Sequence, residues 1–180
     1  SREVTGALLL VVPLGNTSFL GFPAVEALLG TDALGSAVLY DQLGTFLALT
    51  TYGAAVAAAY GDGAVRPNSR SIARRVLGFP PFLALIAGLA LAWSGGRGVS
   101  LPAAVDDALG LLAATLTPLA MVSIGIRLSA IELRWPSGAV VFGLLSRLAV
   151  LPALVLVVAV AAGASGLGWR VSVLESAMPS

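Results

Sequence analysis

Five long stretches of the chain carry no charged residue and consist mainly of apolar side chains. They are Val4–Val25 (22 residues), Gln42–Gly61 (20), Val76–Gly96 (21), Ala108–Ile126 (19) and Leu148–Trp169 (22). A helix needs about 20 apolar residues to cross a bilayer, and lipid cannot satisfy open backbone groups. The pattern therefore predicts an all-α polytopic membrane protein.

The first of these stretches is interrupted near its centre by the sequence Gly-Asn-Thr-Ser at residues 15–18. Gly and Asn disfavour helix, and Asn and Ser are preferred at helix N-termini. We predict a half-helix ending near Leu14, an unwound centre, and a second half-helix from about Phe19 to Leu29. Unwound backbone at this depth is tolerated only where protein or a water-filled cavity covers it. We therefore favour a binding site here over a kink that eases packing.

The remaining apolar stretches predict further spans with polar segments between them. The expected spans are about Ala37–Tyr60, Pro81–Trp93, Pro102–Leu128 and Ser137–Ala162, followed by a sixth that begins near Gly168. A second interruption, Ala-Met-Pro-Ser at residues 177–180, lies in this sixth span, where proline removes a helical hydrogen bond. The most polar segment, residues 61–78, contains arginines spaced as on a short interfacial helix.

The arginines are distributed unevenly between the two sides of the predicted bundle. Alternating the spans places seven on one side and two, Arg97 and Arg170, on the other. Loops rich in arginine stay in the cytoplasm. We therefore predict a multi-pass protein of the cell inner membrane, with residues 61–78 cytoplasmic and residues 30–36 facing outward. The seven arginines on the cytoplasmic side are Arg2, Arg66, Arg70, Arg74, Arg75, Arg127 and Arg134.

Composition narrows the chemistry that the chain can perform. The net charge is +1, which is too small to recruit nucleic acid. The absence of Cys and His removes disulfides, thiol chemistry and the commonest metal ligand and general base. The sequence also contains no catalytic motif. We expect a protein of the lipid bilayer that is not an enzyme, holds no cofactor or metal and binds no nucleic acid.

Charged side chains within the predicted spans are costly and suggest function. Asp41, beside Gln42, could bind a coupling proton or cation, or could be an interfacial carboxylate. Arg147 could supply the countercharge for an anionic substrate, or could snorkel from a helix that begins later. Glu175 could face a cavity, whereas Glu26 is expected to snorkel to the outer interface.

Six short segments resemble, in order, the auxin efflux carrier family, whose bacterial members include malonate-transporter-like permeases. The resemblance extends over nearly the whole chain, although Phe79 stands where that family would have Asn before Pro80. The segments are residues 15–23 (GNTSFLGFP), 39–44 (LYDQLG), 79–84 (FPPFLA), 117–120 (TPLA), 147–152 (RLAVLP) and 177–180 (AMPS).

The resemblance implies ten helices in two inverted five-helix repeats, whose broken fourth and ninth helices cross at the substrate site. The chain is then expected to be a fragment that runs from the fourth helix to half of the ninth. Residues 1–60 would end the first repeat, 61–78 would form the cytoplasmic loop, and 79–180 would begin the second repeat. The implied substrate-binding residues are Asn16, Thr17, Ser18, Phe19, Met178, Pro179 and Ser180. The candidates for coupling or charge are Asp41, Gln42, Arg147 and Glu175.

Together, these patterns predict a secondary active transporter of a small organic anion, such as a dicarboxylate. It would work by alternating access, with H⁺ or Na⁺ as the coupling ion. Two alternatives stay open: a membrane-embedded ligand sensor of the same fold, and a carrier like the bile-acid/sodium symporters. A channel or an intramembrane enzyme fits less well, because the interruptions are paired and no nucleophile–base pair is evident. The expected partners are the anion and the bilayer, and a homodimer stays open as the assembly.

Overall fold

The structure, a computed structural model, describes residues 1–61, 68–95, 101–129 and 137–180. All regular secondary structure in these ranges is helical. Arg66, Arg97 and Arg134, which contribute to the predicted orientation, lie outside the described residues. The helices are α1 (Arg2–Val11), α2 (Thr17–Leu29), α3 (Thr31–Tyr60), α4 (Ser69–Leu77), α5 (Pro80–Gly95), α6 (Ala103–Ser129), α7 (Gly138–Ala161) and α8 (Leu167–Ser176).

Helices α1 and α2 are the two halves of the predicted broken span. Helix α1 ends at Val11 and α2 begins at Thr17, so the chain leaves helical geometry between them. The predicted break is confirmed, although the first half ends slightly earlier than expected, because Pro13 has no N–H with which to continue the helix. Asn16 caps α2: its Oδ1 accepts a hydrogen bond of 3.0 Å from the Phe19 N–H.

Three of the helices are long and apolar enough to cross a membrane by themselves. Helix α3 has 30 residues, α6 has 27 and α7 has 24. The bounds of α6 and α7 lie within one residue of the predicted ones, whereas α3 begins at Thr31, six residues before the predicted start at Ala37. Helix α5 has 16 residues and follows α4 at a bend of 64°. Helix α4 presents Arg70, Arg74 and Arg75 at its surface, as expected for a short interfacial helix.

Stretches of π-helix widen α2, α3 and α7. They are Thr17–Gly21, Tyr40–Phe46, Leu49–Gly53 and Ser146–Val150. A π turn contains one extra residue and often marks a functional site. In this protein three of these stretches carry buried polar side chains, namely Thr17, Asp41 with Gln42, and Arg147.

Helix α8 packs against α2, α3 and α7 and so fixes the position of the second interruption. A small apolar core lies between α2, α3 and α8 and includes Val25, Ala37 and Val171. Many large apolar side chains of α6 and α7, such as Leu111 and Val160, are exposed. Water tolerates an apolar surface of this breadth poorly, whereas lipid accommodates it. The packing brings the end of α8 to the unwound residues between α1 and α2.

Candidate functional site

The two interruptions of the chain meet in space, and we call residues 12–16 and 177–180 the crossover. The Asn16 N–H donates a hydrogen bond of 2.7 Å to the Pro179 carbonyl oxygen. The backbones approach so closely that a Cβ added at Gly15 would lie 2.8 Å from the Met178 carbonyl oxygen. Only glycine permits this approach without displacing the second segment.

The side chain of Arg147 reaches into the crossover from the π turn of α7 and is only 4% exposed. Its Nε donates to the Met178 carbonyl oxygen at 2.6 Å, and its Nη1 donates to the carbonyl oxygens of Val12 and Pro13 at 3.2 Å each. A longer bond of 3.5 Å runs from Nη2 to the Glu175 carbonyl oxygen. These four carbonyls lie at the C-terminal ends of α1 and α8, which carry partial negative charge. The Glu175 carbonyl also accepts a backbone hydrogen bond of 3.1 Å from the Met178 N–H. The guanidinium satisfies both ends at once.

This position changes the interpretation of Arg147. The side chain does not snorkel toward a membrane surface, because it is buried among the crossover carbonyls. All of its hydrogen bonds to described residues go to backbone oxygens. The positive charge of Arg147 therefore faces the carbonyl ends of α1 and α8.

The carboxylate of Asp41 joins α3 to the first turn of α2. Its Oδ1 accepts hydrogen bonds from the Thr17 hydroxyl at 2.5 Å and the Ser18 hydroxyl at 2.8 Å. Its Oδ2 accepts a bond of 2.7 Å from the Gln42 amide. Asp41 is 4% exposed, so the interfacial alternative does not describe its position. The three donors satisfy both oxygens of this buried carboxyl group.

Glu175 is a second buried carboxylate, and unlike Asp41 it has no hydrogen-bond donors among the described residues. It is 0% exposed, and neither carboxylate oxygen has a hydrogen-bond partner among the described residues. The carboxylate lies against the backbone of Gly21, where an added Cβ would stand 2.7 Å from Oε1. The Oε1 of Gln42 also lacks a partner in the described part of the chain. A buried carboxylate without donors is costly as an anion and favours binding a proton or a cation.

A cavity of about 440 Å³ opens beside the crossover, and we call it the Arg127 cavity. The crossover and the first turn of α2 contribute Gly15, Asn16, Phe19 and Ser180 to its wall. Helix α6 contributes Ser123 and Arg127, which are four residues apart and therefore share one face of the helix. Sequence reasoning used Arg127 only as an orientation marker and missed this role. The i, i+4 spacing with a polar serine was the available signal.

A second cavity, of about 290 Å³, lies on another side of the crossover between α1 and α7, and we call it the Arg147 cavity. Its wall is mostly apolar and includes Leu8 and Gly143. Arg147, Pro179 and Ser180 line it where it meets the crossover. Ser180 borders both cavities, so the crossover stands between two separate spaces.

The residues predicted to bind substrate divide into two groups in the structure. Those that line the Arg127 cavity are Asn16, Phe19 and Ser180. Those that do not line it, and whose polar groups are engaged within the protein, are Thr17, Ser18, Met178 and Pro179. Contact between either group and a substrate stays a prediction.

Glu26 does not snorkel to the outer interface as expected. Its Oε2 accepts a hydrogen bond of 2.5 Å from the Thr117 hydroxyl. This bond joins α2 to α6, the helix that supplies Arg127. It therefore helps to hold the wall of the Arg127 cavity in place.

Comparison with known proteins gives a family match over the whole chain. Residues 1–180 match the family described as "Membrane transport protein". The chain is 31% identical over 178 residues to an uncharacterized transporter of Methanocaldococcus jannaschii, covering 99% of this chain and 56% of the relative. It is 31% identical over 179 residues to an uncharacterized transporter of Methanothermobacter thermautotrophicus, covering 98% of this chain and 55% of the relative. The chain thus spans about half the length of these curated relatives. No solved structure matches it significantly.

Proposed function

Because the chain belongs to the membrane transport protein family, we propose that the full-length protein is a secondary active transporter of a small organic anion such as a dicarboxylate. The single observation that carries this proposal is the meeting of two helix interruptions, Asn16 with Pro179, beside a cavity that holds an arginine. Discontinuous helices that cross in this way build the binding sites of many secondary transporters.

The Arg127 cavity has the chemistry of an anion site. Arg127 supplies a permanent positive charge with a planar set of donors that matches a carboxylate. The N-terminus of α2 begins at the same wall, and its first-turn N–H groups carry partial positive charge. Asn16, Ser123 and Ser180 add polar side chains at the wall, while Phe19 adds an apolar surface. About 440 Å³ falls within the usual size range of small-molecule sites.

The position of the crossover between the Arg127 cavity and the Arg147 cavity supports a mechanism of alternating access. The anion would be held at the crossover while one group of helices rocks against the other, so that each cavity opens in turn. Coupling to H⁺ or Na⁺ would use the buried polar groups behind the crossover. Asp41, Gln42 and Glu175 are the candidates. Both carboxylate oxygens of Glu175 and the amide oxygen of Gln42 are unengaged in the described part of the chain.

The experiment is uptake of radiolabelled dicarboxylates by the full-length protein in proteoliposomes, comparing Arg127→Gln with the wild type. A charge-assisted hydrogen bond contributes about 1.5–3 kcal/mol, so we expect uptake at limiting substrate to fall about 10- to 100-fold. Arg70→Gln is the matched control, since Arg70 lies exposed on α4, and its uptake should stay within about twofold of wild type. Normal uptake by Arg127→Gln would place the anion elsewhere.

A further inference from the structure

Backbone oxygens from two helix ends cluster at the crossover, and of the four only that of Glu175 also accepts a backbone hydrogen bond within the described residues. Helix α1 ends at Val11 and α8 ends at Ser176, so both present their last carbonyls to the same small region. The last four carbonyls of any helix lack intrahelical donors, and the aligned peptide dipoles make that end negative. Two such ends meeting in the membrane interior require a positive group.

Arg147 is that positive group. Its guanidinium contacts one carbonyl pair from each helix end, namely Val12 with Pro13 and Glu175 with Met178. It also fills the space that Gly15 leaves open, since a Cβ added there would lie 2.7 Å from the guanidinium carbon. The nearby charged or ionisable groups are the side chains of Glu175 and Tyr40. The hydrogen bonds nevertheless go to the carbonyls.

Unwound carbonyls and half-helix C-termini are where secondary transporters with broken helices bind their coupling cation. Hard monovalent cations prefer such a shell of oxygen ligands. In this protein the same kind of oxygen cluster is already occupied by a side chain. We propose that Arg147 is a built-in cation that stands in the place of a sodium ion at the crossover. The role of Arg147 in transport rests on the proposed function, whereas its role as the cation of the crossover can be tested without it.

Two consequences follow from a cation that is covalently attached. A guanidinium cannot leave with each transport cycle, so it contributes no energy from an ion gradient and the crossover carbonyls need no Na⁺. Removing the side chain would expose the oxygen cluster and create a monovalent-cation site that the wild type does not have. Arg147 is thus a positioning residue for the two interruptions, and its replacement should create a response to sodium at the crossover that the wild type lacks there.

The experiment measures thermal unfolding of the purified full-length protein, which requires no substrate. Wild type and Arg147→Ala are compared in sodium chloride and in N-methyl-D-glucamine chloride of equal ionic strength, with dilute guanidinium chloride as a second probe. Sodium or guanidinium should raise the Tm of Arg147→Ala by roughly 2–4 °C more than that of the wild type, because a ligand that binds only the folded state stabilises it.

Arg147→Lys and Arg147→Met form a matched pair that decides the question even where Arg147→Ala does not fold. Lys keeps the positive charge, whereas Met keeps a long apolar stem without it. The proposal expects Arg147→Lys to melt well above Arg147→Met. Equal melting of these two variants, or an Arg147→Ala protein that is indifferent to the cation, would overturn it. Since none of these readouts measures uptake, failure here leaves the anion-transport proposal to its own test.

Discussion

At the residue scale, the two buried carboxylates show how partners decide what a charge can do. Asp41 accepts three hydrogen bonds, from Thr17, Ser18 and Gln42, and these tie α3 to the start of α2. Glu175 is equally buried, yet its oxygens have no donor within the described ranges. A carboxylate with donors stabilises the fold as an anion, whereas one without donors is costly until it binds a proton or a cation.

This difference predicts opposite responses to the same isosteric change. Asp41→Asn replaces one of the two acceptor oxygens by an NH₂ group, which cannot accept the hydrogen bonds made there. We therefore expect a loss of about 1–3 kcal/mol of stability. Glu175→Gln replaces a carboxyl group that has no hydrogen-bond donors by a neutral amide of the same shape, so its stability should equal or exceed that of the wild type at neutral pH. Denaturation of the full-length variants in detergent checks both, with Asp32→Asn at an exposed position as the control. A large loss in Glu175→Gln would show that the carboxylate has a partner such as a bound cation.

At the element scale, the broken helices depend on glycines that let the segments approach one another. Gly21 lies in the π turn that starts α2, and an added Cβ would stand 2.7 Å from the carboxylate carbon of Glu175. Gly35 lies in α3 with nothing within 4 Å of the corresponding position. Gly21 is therefore needed for packing against α8, whereas Gly35 is not.

Substitution of these two helical glycines by alanine should therefore give opposite results. Gly21→Ala forces α8 or the Glu175 side chain to move, which costs about 1–3 kcal/mol. Gly35→Ala meets no obstacle and gains helix propensity, so we expect stability unchanged or raised by about 0.5–1 kcal/mol. Thermal melts of the two variants compare them directly. Truncation by Glu175→Ala in the Gly21→Ala background should recover part of the loss, and the absence of any recovery would locate the clash elsewhere.

At the scale of the whole molecule, the chain supplies a crossover, two cavities and the helices that carry them. It spans about half the length of its curated relatives, and much of the apolar surface of α6 and α7 is exposed. The orientation of this assembly in the membrane rests on the distribution of arginines. Helix α4 presents Arg70, Arg74 and Arg75 together, which favours a cytoplasmic position for residues 61–78.

The predicted orientation can be tested by labelling, since this chain contains no native cysteine. Asp32→Cys and Ser71→Cys place single thiols at exposed positions at the start of α3 and in α4. In intact cells that produce the full-length protein, with any other cysteine removed, an impermeant maleimide should label Asp32→Cys and leave Ser71→Cys unmodified. Permeabilised cells, in which both should react, provide the control. Labelling of only Ser71→Cys in intact cells would invert the predicted topology.

The amino-acid sequence by itself determined the spans and the interruptions. Both are local properties: a run of uncharged apolar residues is long enough to cross lipid, and closely spaced proline, glycine and asparagine disfavour helix, as at residues 13–16. The break before Thr17 was therefore predictable, with an error of a few residues at Val11 because the effect of Pro13 was not weighed. The family could also be inferred, because its short segments occur in order along the chain.

Only the tertiary structure decided which buried polar groups meet. Arg147 bonds to Val12, which is 135 residues away, and Thr17 bonds to Asp41, which is 24 residues away. No spacing along the chain encodes such pairs, since helix packing selects them. For the same reason the sequence could not decide whether Arg147 snorkels or supplies a countercharge. It also gave no indication that Arg127 lines the cavity beside the crossover. A charge inside a membrane takes its role from the carbonyls, carboxylates and cavities around it, and those come from distant parts of the chain.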